Sequence, residues 1–396
     1  MLCSGFVWDL AYVNTRIAAA VTYNAIACRS EVRVWWPQPK MQAGIVSIVT
    51  ISDMKIATQI TPLNDANRLG LMYRHEAAQL PWRGSIVDVH THVGDVEGAR
   101  LFFEVADLFG VQRIWTMAQL ENIDAIAAEF GDRVKFIAIP NYMRRAKDTF
   151  TVDFLKRIEK FAEKGSRVVK FWAAPRGRDF DREGFELDSP WRRRQMDLAR
   201  SLGMMIMTHV SDPDTWFASH YRDHRKYGTK AQQYEPLERM LDEYHDVPWL
   251  AAHMAGDPED LNHLQYLLDR YPHLHLDTSA TKWMVRELSQ HTNEYRAFCQ
   301  RNPGRVLFGT DTVAGKDNLS FDLYASRFWA LRVLHETDYA GPSPIVDPDL
   351  SILDPSLPRE STATLRGAAM DPTTLQSVYH DAAVGLEARS TQGDFS

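Results

Sequence analysis

The feature that most constrains this chain is a regular alternation that begins near Ser85. From there onward, short apolar runs that end in polar residues alternate with longer amphipathic stretches. This alternation is typical of successive strand and helix units around a parallel sheet. The apolar runs predict eight strands, namely Ile86–His90, Arg113–Met117, Val134–Pro140, Arg167–Phe171, Met204–His209, Trp249–His253, Leu274–Thr278 and Arg305–Gly309.

Amphipathic stretches with helical periodicity lie between the predicted strands. They predict helices over Leu101–Phe109, Phe154–Lys164, Trp191–Leu202, Leu237–Tyr244, Leu261–Tyr271, Glu294–Cys299 and, after the last strand, Phe321–His335. A proline-rich loop over Pro342–Pro358 and a last helix over Thr373–Arg389 complete the pattern. Eight strands with intervening helices favour an α/β fold of the closed (β/α)8 TIM barrel type. An open doubly wound sheet would more often carry a glycine-rich turn after its first strand, where this chain has His-Thr-His.

The chain has 396 residues, a length that barrels with inserted loops reach as a single unit. Residues 1–80 do not share the alternating pattern. We therefore predict an N-terminal extension of uncertain structure over residues 1–80 and a barrel over residues 81–396. An alternative is that translation begins at Met41 or Met54 and that the earlier residues are not part of the native protein.

Composition and charge exclude several classes of protein. With 45% hydrophobic and 24% charged residues, the chain is typical of a soluble globular protein. A net charge of −7 without a basic stripe argues against nucleic acid binding. Three scattered cysteines favour a reducing compartment, and neither a signal peptide nor a membrane-spanning run is predicted. We expect a cytoplasmic protein without a membrane partner, and the sequence leaves open whether it forms a homo-oligomer.

Two histidines stand at the end of the first predicted strand. His90 and His92 are two residues apart, and because side chains alternate along a strand, both point to the same face. In a barrel this face is the interior, near the mouth that carries catalytic groups. By itself such a pair is equally compatible with a chance arrangement of histidines.

Later predicted strands add further polar groups at their carboxyl ends. The fifth strand ends in His209, the sixth ends in His253, and Asp311 follows the eighth. Parallel strands of a barrel deliver these groups to the same rim although they lie tens of residues apart in sequence. Imidazole nitrogens with a carboxylate suit a divalent ion such as zinc and leave a position open for water or substrate. The sequence therefore predicts a metal site at the barrel mouth.

With these residues in place, the chain resembles the amidohydrolase superfamily over about residues 84 to 390. Within the superfamily it is most similar to the amidohydrolase-2 branch, which includes aminocarboxymuconate semialdehyde decarboxylase and related hydrolases and lactonases. The pieces nearest the first and eighth strands are the most specific. The matching pieces are Val87-Asp-Val-His-Thr-His92, Arg167-Val-Val-Lys-Phe171, Met207-Thr-His209, Ala251-Ala-His253-Met-Ala-Gly256 and Phe308-Gly-Thr-Asp311.

The resemblance implies that His90, His92, His209 and Asp311 bind one divalent metal ion, with zinc as the first candidate and manganese as the second. It also implies that His253 assists the chemistry from outside the metal shell. A bound divalent ion lowers the pKa of water toward about 7, so hydroxide forms near neutral pH. Asp311 could accept the proton of that water, and His253 could orient the nucleophile or stabilise an oxyanion.

The leading functional hypothesis is hydrolysis of a small carbonyl-containing substrate such as an amide or a lactone. Non-oxidative decarboxylation of an unsaturated or aromatic carboxylate is the nearest alternative, since fold and metal shell are shared between these reactions. A catalytically silent barrel that binds a ligand is a third reading. Weaker candidates at the mouth are a strand lysine, three loop arginines and three tryptophans: Lys170, Arg176, Arg178, Arg182, Trp172, Trp216 and Trp283.

Overall fold

A computed structural model of the chain describes residues 64–144, 146–180 and 184–391. Most of the predicted N-terminal extension, including Met41 and Met54, lies outside these residues. The described residues fall within one compact unit that begins at Leu63, called the second unit here. The first described helix, α1 (Tyr73–Gln79), belongs to the second unit and packs on helices that surround the barrel.

A nine-stranded parallel sheet forms the centre of the described structure. Its strands are β1 (Ile86–Val93), β2 (Val111–Thr116), β3 (Val134–Ala138), β4 (Val168–Trp172), β5 (Met205–His209), β6 (Trp249–Ala251), β7 (Leu274–Asp277), β8 (Val306–Leu307) and β9 (Thr312–Ala314). Each strand from β1 to β8 pairs with the next, and β9 pairs with β1. All eight predicted strands are confirmed.

The sheet closes on itself between β1 and the end of β8. The backbone N–H of Val89 donates to the carbonyl of Phe308 at 2.9 Å, and the N–H of Asp311 donates to the carbonyl of His90 at 2.8 Å. Beyond this point, β9 continues along β1, where Thr91 is paired with Thr312. The fold is therefore the predicted (β/α)8 TIM barrel, and β8 and β9 are two halves of its eighth strand.

Helices cover the outside of the sheet, so its strands are buried on both faces and are rich in apolar residues. Polar caps define several helix starts: Asp95 accepts the N–H of Gly98, and Ser189 accepts the N–H of Arg192. The remaining helices are α2 (Val96–Leu108), α3 (Ile123–Phe130), α4 (Val152–Glu163), α5 (Pro190–Ser201), α6 (Asp214–Phe217), α7 (His224–Tyr227), α8 (Lys230–Glu243), α9 (Leu261–Arg270), α10 (Thr281–Leu288), α11 (Thr292–Arg301), α12 (Phe321–Glu336), α13 (Asp349–Leu353), α14 (Pro372–Gln376) and α15 (Ala382–Thr391). None of the helices described is long and apolar enough to cross a membrane.

The proline-rich region differs from the predicted loop. Its first part forms strand β10 (Ala340–Val346), which pairs antiparallel with β11 (Thr362–Arg366) in a separate two-stranded sheet. Proline is tolerated there because the strand has a free edge. The predicted last helix is also interrupted, because a π-helical turn over Ser377–Asp381 separates α14 from α15. Within that turn the carbonyl of Val378 accepts the backbone N–H of Phe308 at 2.9 Å, which ties the last helices to β8.

Gly256 ends the short turn that follows β6, and we expect it to be essential to that turn. Its φ is +75°, and a Cβ at this position would collide with the carbonyl group of Ser211. Gly256→Ala should lower the free energy of unfolding by about 2–5 kcal/mol, since a left-handed alanine costs roughly 1–2 kcal/mol and overpacking adds about 1–3 kcal/mol. Gly304→Ala is the matched control, because Gly304 has the same φ but no atom within 4 Å of the Cβ that alanine would add. Equal losses for both variants in urea unfolding would contradict the collision.

His335 on α12 is buried and should make the protein less stable in mild acid. Burial lowers the pKa of this histidine to about 3, and its Nε2 lies 3.0 Å from the hydroxyl oxygen of Tyr295. In the unfolded chain the pKa of His335 returns to its ordinary value of 6.5, so below that pH the unfolded state binds more protons than the folded state. The stability that is present above pH 6.5 is therefore lost as the pH falls. His335→Gln keeps an acceptor and should reduce the loss between pH 7 and pH 5 by about 2 kcal/mol. The measurement is urea unfolding at both pH values, with exposed His245→Gln as control, and an unchanged pH dependence would refute the assignment.

Candidate metal centre

The predicted site residues stand at the carboxyl ends of barrel strands. His90 and His92 lie on β1, His209 is the last residue of β5, and His253 and Asp311 follow β6 and β8. His90 is 1% exposed and His253 is 3% exposed, whereas the Asp311 side chain retains 31% exposure. Asp311 is thus the member of this group most open to the mouth.

The backbone at this rim is held in unusual conformations. His253, Met254, Ala255, Ala280 and Asp311 all have φ between 51° and 65°, a region that residues with a Cβ rarely adopt. Each follows one of the strands β6, β7 or β8. Such strain persists only where surrounding contacts enforce it and is concentrated at functional sites. The local backbone therefore marks this rim independently of residue type.

Asp311 joins the two histidines of β1. Its Oδ1 lies 3.3 Å from Nε2 of His90 and 3.1 Å from Nε2 of His92. Burial alone would raise the pKa of Asp311, but the charge and hydrogen bonds of His90 and His92 hold it well below its ordinary value. This carboxylate is ionised at neutral pH and faces both imidazoles.

His253 lies beside this group. One ligand atom each of His90, His253 and Asp311 lie within 4.8 Å of one another. His209 contacts the same region through its ring, whose centroid is 4.4 Å from that of His253. Nε2 of His209 lies 2.8 Å from Oδ1 of Asp212. The other ring nitrogen of His209, Nδ1, is therefore the one left to bind a ligand.

Polar groups beneath the mouth support the imidazoles, and sequence reasoning missed them. Asp277, the last residue of β7, is fully buried, and its Oδ2 lies 3.0 Å from Nδ1 of His90. Ser279 Oγ lies 2.7 Å from Nδ1 of His253 and 2.8 Å from Nδ1 of His90. Burial raises the pKa of Asp277, but His90 and its hydrogen bond more than offset this and lower it below its ordinary value. The available signal was that Asp277 and Ser279 stand at the end of the predicted strand Leu274–Thr278, since polar residues at strand ends also revealed His209 and Asp311.

Lys170 on β4 is part of the same buried cluster. Its Nζ lies 3.1 Å from Nε2 of His90, and the residue is 5% exposed. Burial lowers the pKa of Lys170 to about 8, although Asp277 and Asp311 act in the opposite direction. The lysine thus lies among the predicted ligands rather than on the outer surface.

The donor set fits a divalent cation. Metals bind the neutral form of imidazole and the ionised form of carboxylate. Burial lowers the pKa of His92, and burial together with His209 lowers that of His253 well below its ordinary value, so both rings are neutral at pH 7. At His90, burial and Lys170 lower the pKa, but the carboxylates of Asp277 and Asp311 raise it above its ordinary value. The site therefore combines neutral nitrogen donors with a negative potential that stabilises positive charge.

The weaker mouth candidates separate into two groups. Trp283 lies beside the imidazoles, with ring centroids 5.7 Å from His253 and 6.3 Å from His209, and Trp216 packs on Trp283 at 5.4 Å. Trp172 belongs instead to a small apolar cluster with Phe185.

The loop arginines also differ from one another. Arg178 pairs with Glu186, whereas Arg176 is half-buried in the turn Pro175–Asp179. Arg182 lies outside the described residues.

Comparison with known proteins places these residues in context. A family model described as "Amidohydrolase" matches residues 87–386, and no curated protein matches the chain. The chain is similar to a solved structure described as a probable 2-pyrone-4,6-dicarboxylic acid hydrolase from Acinetobacter baumannii (13% identity, TM-score 0.40, 62% of this chain and 91% of that chain). It is also similar to 5-carboxyvanillate decarboxylases from Sphingomonas paucimobilis (9% identity, TM-score 0.40, 74% and 98%) and Novosphingobium aromaticivorans, the latter complexed with manganese (11% identity, TM-score 0.37, 61% and 90%). The family match spans nearly the whole barrel.

We expect purified protein to bind one equivalent of zinc or manganese, measured by elemental analysis and calorimetry. Asp311→Asn should weaken binding by more than the roughly 10–100-fold typical of losing a residue that only supports a ligand. His209→Ala should release the metal, whereas His253→Ala should retain it and lower kcat. His263→Gln, outside the cluster, is the matched control and should bind as the wild type does.

Two results would contradict this assignment. Wild-type protein that neither carries nor takes up a divalent ion would refute the metal site. Metal loss in His253→Ala together with retention in His209→Ala would exchange the roles of these two histidines.

Proposed function

We propose that this chain, which belongs to the amidohydrolase family, is a metal-dependent hydrolase of a small carbonyl-containing substrate such as an amide or a lactone. The observation that carries the proposal is Asp311. It is an ionised carboxylate at the mouth, partly exposed, and its Oδ1 lies within 3.3 Å of two imidazoles. A group with this charge and position is suited to accept a proton from an attacking water molecule.

We assign His90, His92, His209 and Asp311 as the residues that would hold the metal, with zinc as the first candidate and manganese as the second. A divalent ion supplies Lewis acidity to such a site and makes water acidic near neutral pH. We propose a single ion. The buried amine of Lys170 is then assigned to substrate contact or to pairing with the buried carboxylates around it.

The side chains of Asp311, His253 and Trp283 have separate proposed roles in the reaction. Asp311 accepts the proton of the nucleophilic water and can return it to the leaving group, because it is the most exposed acceptor of the cluster. His253 lies next to His90, with ring centroids 4.8 Å apart, and orients the nucleophile. Trp283 covers one side of His253 and His209, which limits access of bulk water to these rings.

Non-oxidative decarboxylation is the second candidate function, and one observation favours it. Trp283 lies beside the imidazoles of His253 and His209, and the ring of Trp216 packs on it with centroids 5.4 Å apart. Aromatic side chains next to polar groups are suited to planar ligands such as unsaturated or aromatic carboxylates. In that reaction Asp311 or His253 would carry the proton that replaces the lost carboxylate.

An assay in water labelled with oxygen-18 separates hydrolysis from decarboxylation. The substrates are lactones, acylated amines and unsaturated or aromatic carboxylates, supplied to the metal-loaded enzyme. We expect label from water to enter a product carboxylate and Asp311→Asn to abolish this incorporation, whereas Ser326→Ala, at a buried serine on α12, should retain it. Release of carbon dioxide without incorporation of label would replace hydrolysis by decarboxylation.

A further inference from the structure

The hydroxyl of Ser279 lies at the centre of a buried hydrogen-bond network below the imidazoles. Ser279 is fully buried, and its Oγ is within hydrogen-bond distance of three groups: Nδ1 of His253 at 2.7 Å, Nδ1 of His90 at 2.8 Å and Oδ1 of Asp277. A serine hydroxyl offers one hydrogen to donate and two lone pairs to accept. Three partners therefore use its whole capacity.

The direction of each hydrogen bond follows from counting donors. Oδ1 of Asp277 already accepts the backbone N–H groups of His253 at 2.9 Å and of Ser279 at 3.0 Å. Backbone N–H groups can only donate, so this oxygen is an acceptor and the Ser279 hydroxyl hydrogen points to it. The two lone pairs of Oγ then remain for the imidazoles. His253 must therefore donate to Ser279 through Nδ1–H, and the single Nδ1–H of His90 is shared between Ser279 Oγ and Asp277 Oδ2, both of which can only accept from it.

We propose that Ser279, held by Asp277, is a positioning residue that fixes His253 with its hydrogen on Nδ1 and its lone pair on Nε2. The same hydroxyl holds His90 in the matching orientation. Ser279 does not touch the substrate in this scheme, since it lies fully buried behind the imidazoles. The inference rests on the proposed function only in treating these histidines as parts of the active site.

This arrangement narrows the role of His253. A ring whose Nε2 carries a lone pair can accept a hydrogen bond from water or bind a cation, but it cannot donate to an oxyanion through that nitrogen. Nδ1–H is already committed to Ser279. His253 therefore enters the reaction as an acceptor that aligns the nucleophile, and the oxyanion must be stabilised by another group.

The direct test is made on the wild-type protein, and a variant serves only to assign its signals. In protein with 15N-labelled histidine, two-bond nitrogen–proton correlation spectra distinguish a protonated ring nitrogen from a bare one. We expect His253, assigned by comparison with His253→Ala, to show protonated Nδ1 and bare Nε2 at neutral pH, in metal-free and in zinc-loaded protein. A hydrogen on Nε2 of His253 in the wild type would overturn the proposal. Because the metal-free protein suffices, this result stands even where metal binding or turnover fails.

Variants of Ser279 test its consequence for the site. Ser279→Ala should give a mixed tautomer signal at His253 and lower metal affinity or kcat by about 10–100-fold, as is typical of losing a residue that orients a ligand. Ser279→Thr keeps the hydroxyl and should restore the wild-type tautomer. Ser326→Ala removes a buried hydroxyl on α12 and should leave the signal unchanged. A Ser279→Ala protein with wild-type tautomer, metal affinity and kcat would refute the positioning role.

Discussion

Closure of the barrel between β1 and β8 is the interaction on which the site depends. The hydrogen bond from the Asp311 N–H to the carbonyl of His90 closes the seam, and the same two residues bring their side chains together, with Nε2 and Oδ1 3.3 Å apart. The left-handed conformation of Asp311, with φ of 59°, interrupts the eighth strand at this point. Barrel stability and ligand geometry are therefore properties of the same residues, and opening the seam would also misplace the carboxylate.

A second requirement is that the buried carboxylates under the mouth have hydrogen-bond partners. Asp88 is fully buried; its Oδ1 accepts the backbone N–H groups of His90 and Thr310, each at 3.1 Å, and its Oδ2 accepts the Thr310 hydroxyl at 2.7 Å. Burial raises the pKa of Asp88 to about 7, while these hydrogen bonds act to lower it. Asp88 thereby braces β1 against the eighth strand, and Asp277 does the same between β6 and β7. Burying a carboxylate without hydrogen-bond partners would cost roughly several kcal/mol of folding free energy. The strand ends below the imidazoles are therefore held where these contacts can form.

The sequence predicts the features that depend on a local residue pattern. Prediction from sequence fails for features that depend on contacts between distant parts of the chain. Apolar runs were sufficient for eight strands, and alternation along β1 was sufficient to place His90 and His92 on one face. Strand β10 was missed because Pro342 and Pro344 argue against a strand, whereas a free edge tolerates them. The left-handed conformations of His253 and Asp311 were beyond prediction, since neither is glycine and only packing across the barrel enforces them. Ser279 was missed for a similar reason, because its partners come from three different strands.

The neighbouring imidazoles of His209 and His253 show how a buried hydrogen-bond partner selects which ring nitrogen remains for a ligand. His209 is held through Nε2 by Asp212, whereas His253 is held through Nδ1 by Ser279. The nitrogen left over is Nδ1 in the first ring and Nε2 in the second, and Nε2 lies farther from the backbone. The two rings therefore turn different nitrogens toward the mouth although their centroids are only 4.4 Å apart. The buried group behind each imidazole thus determines which nitrogen is left to bind a ligand, and this choice is made by residues that do not themselves bind it.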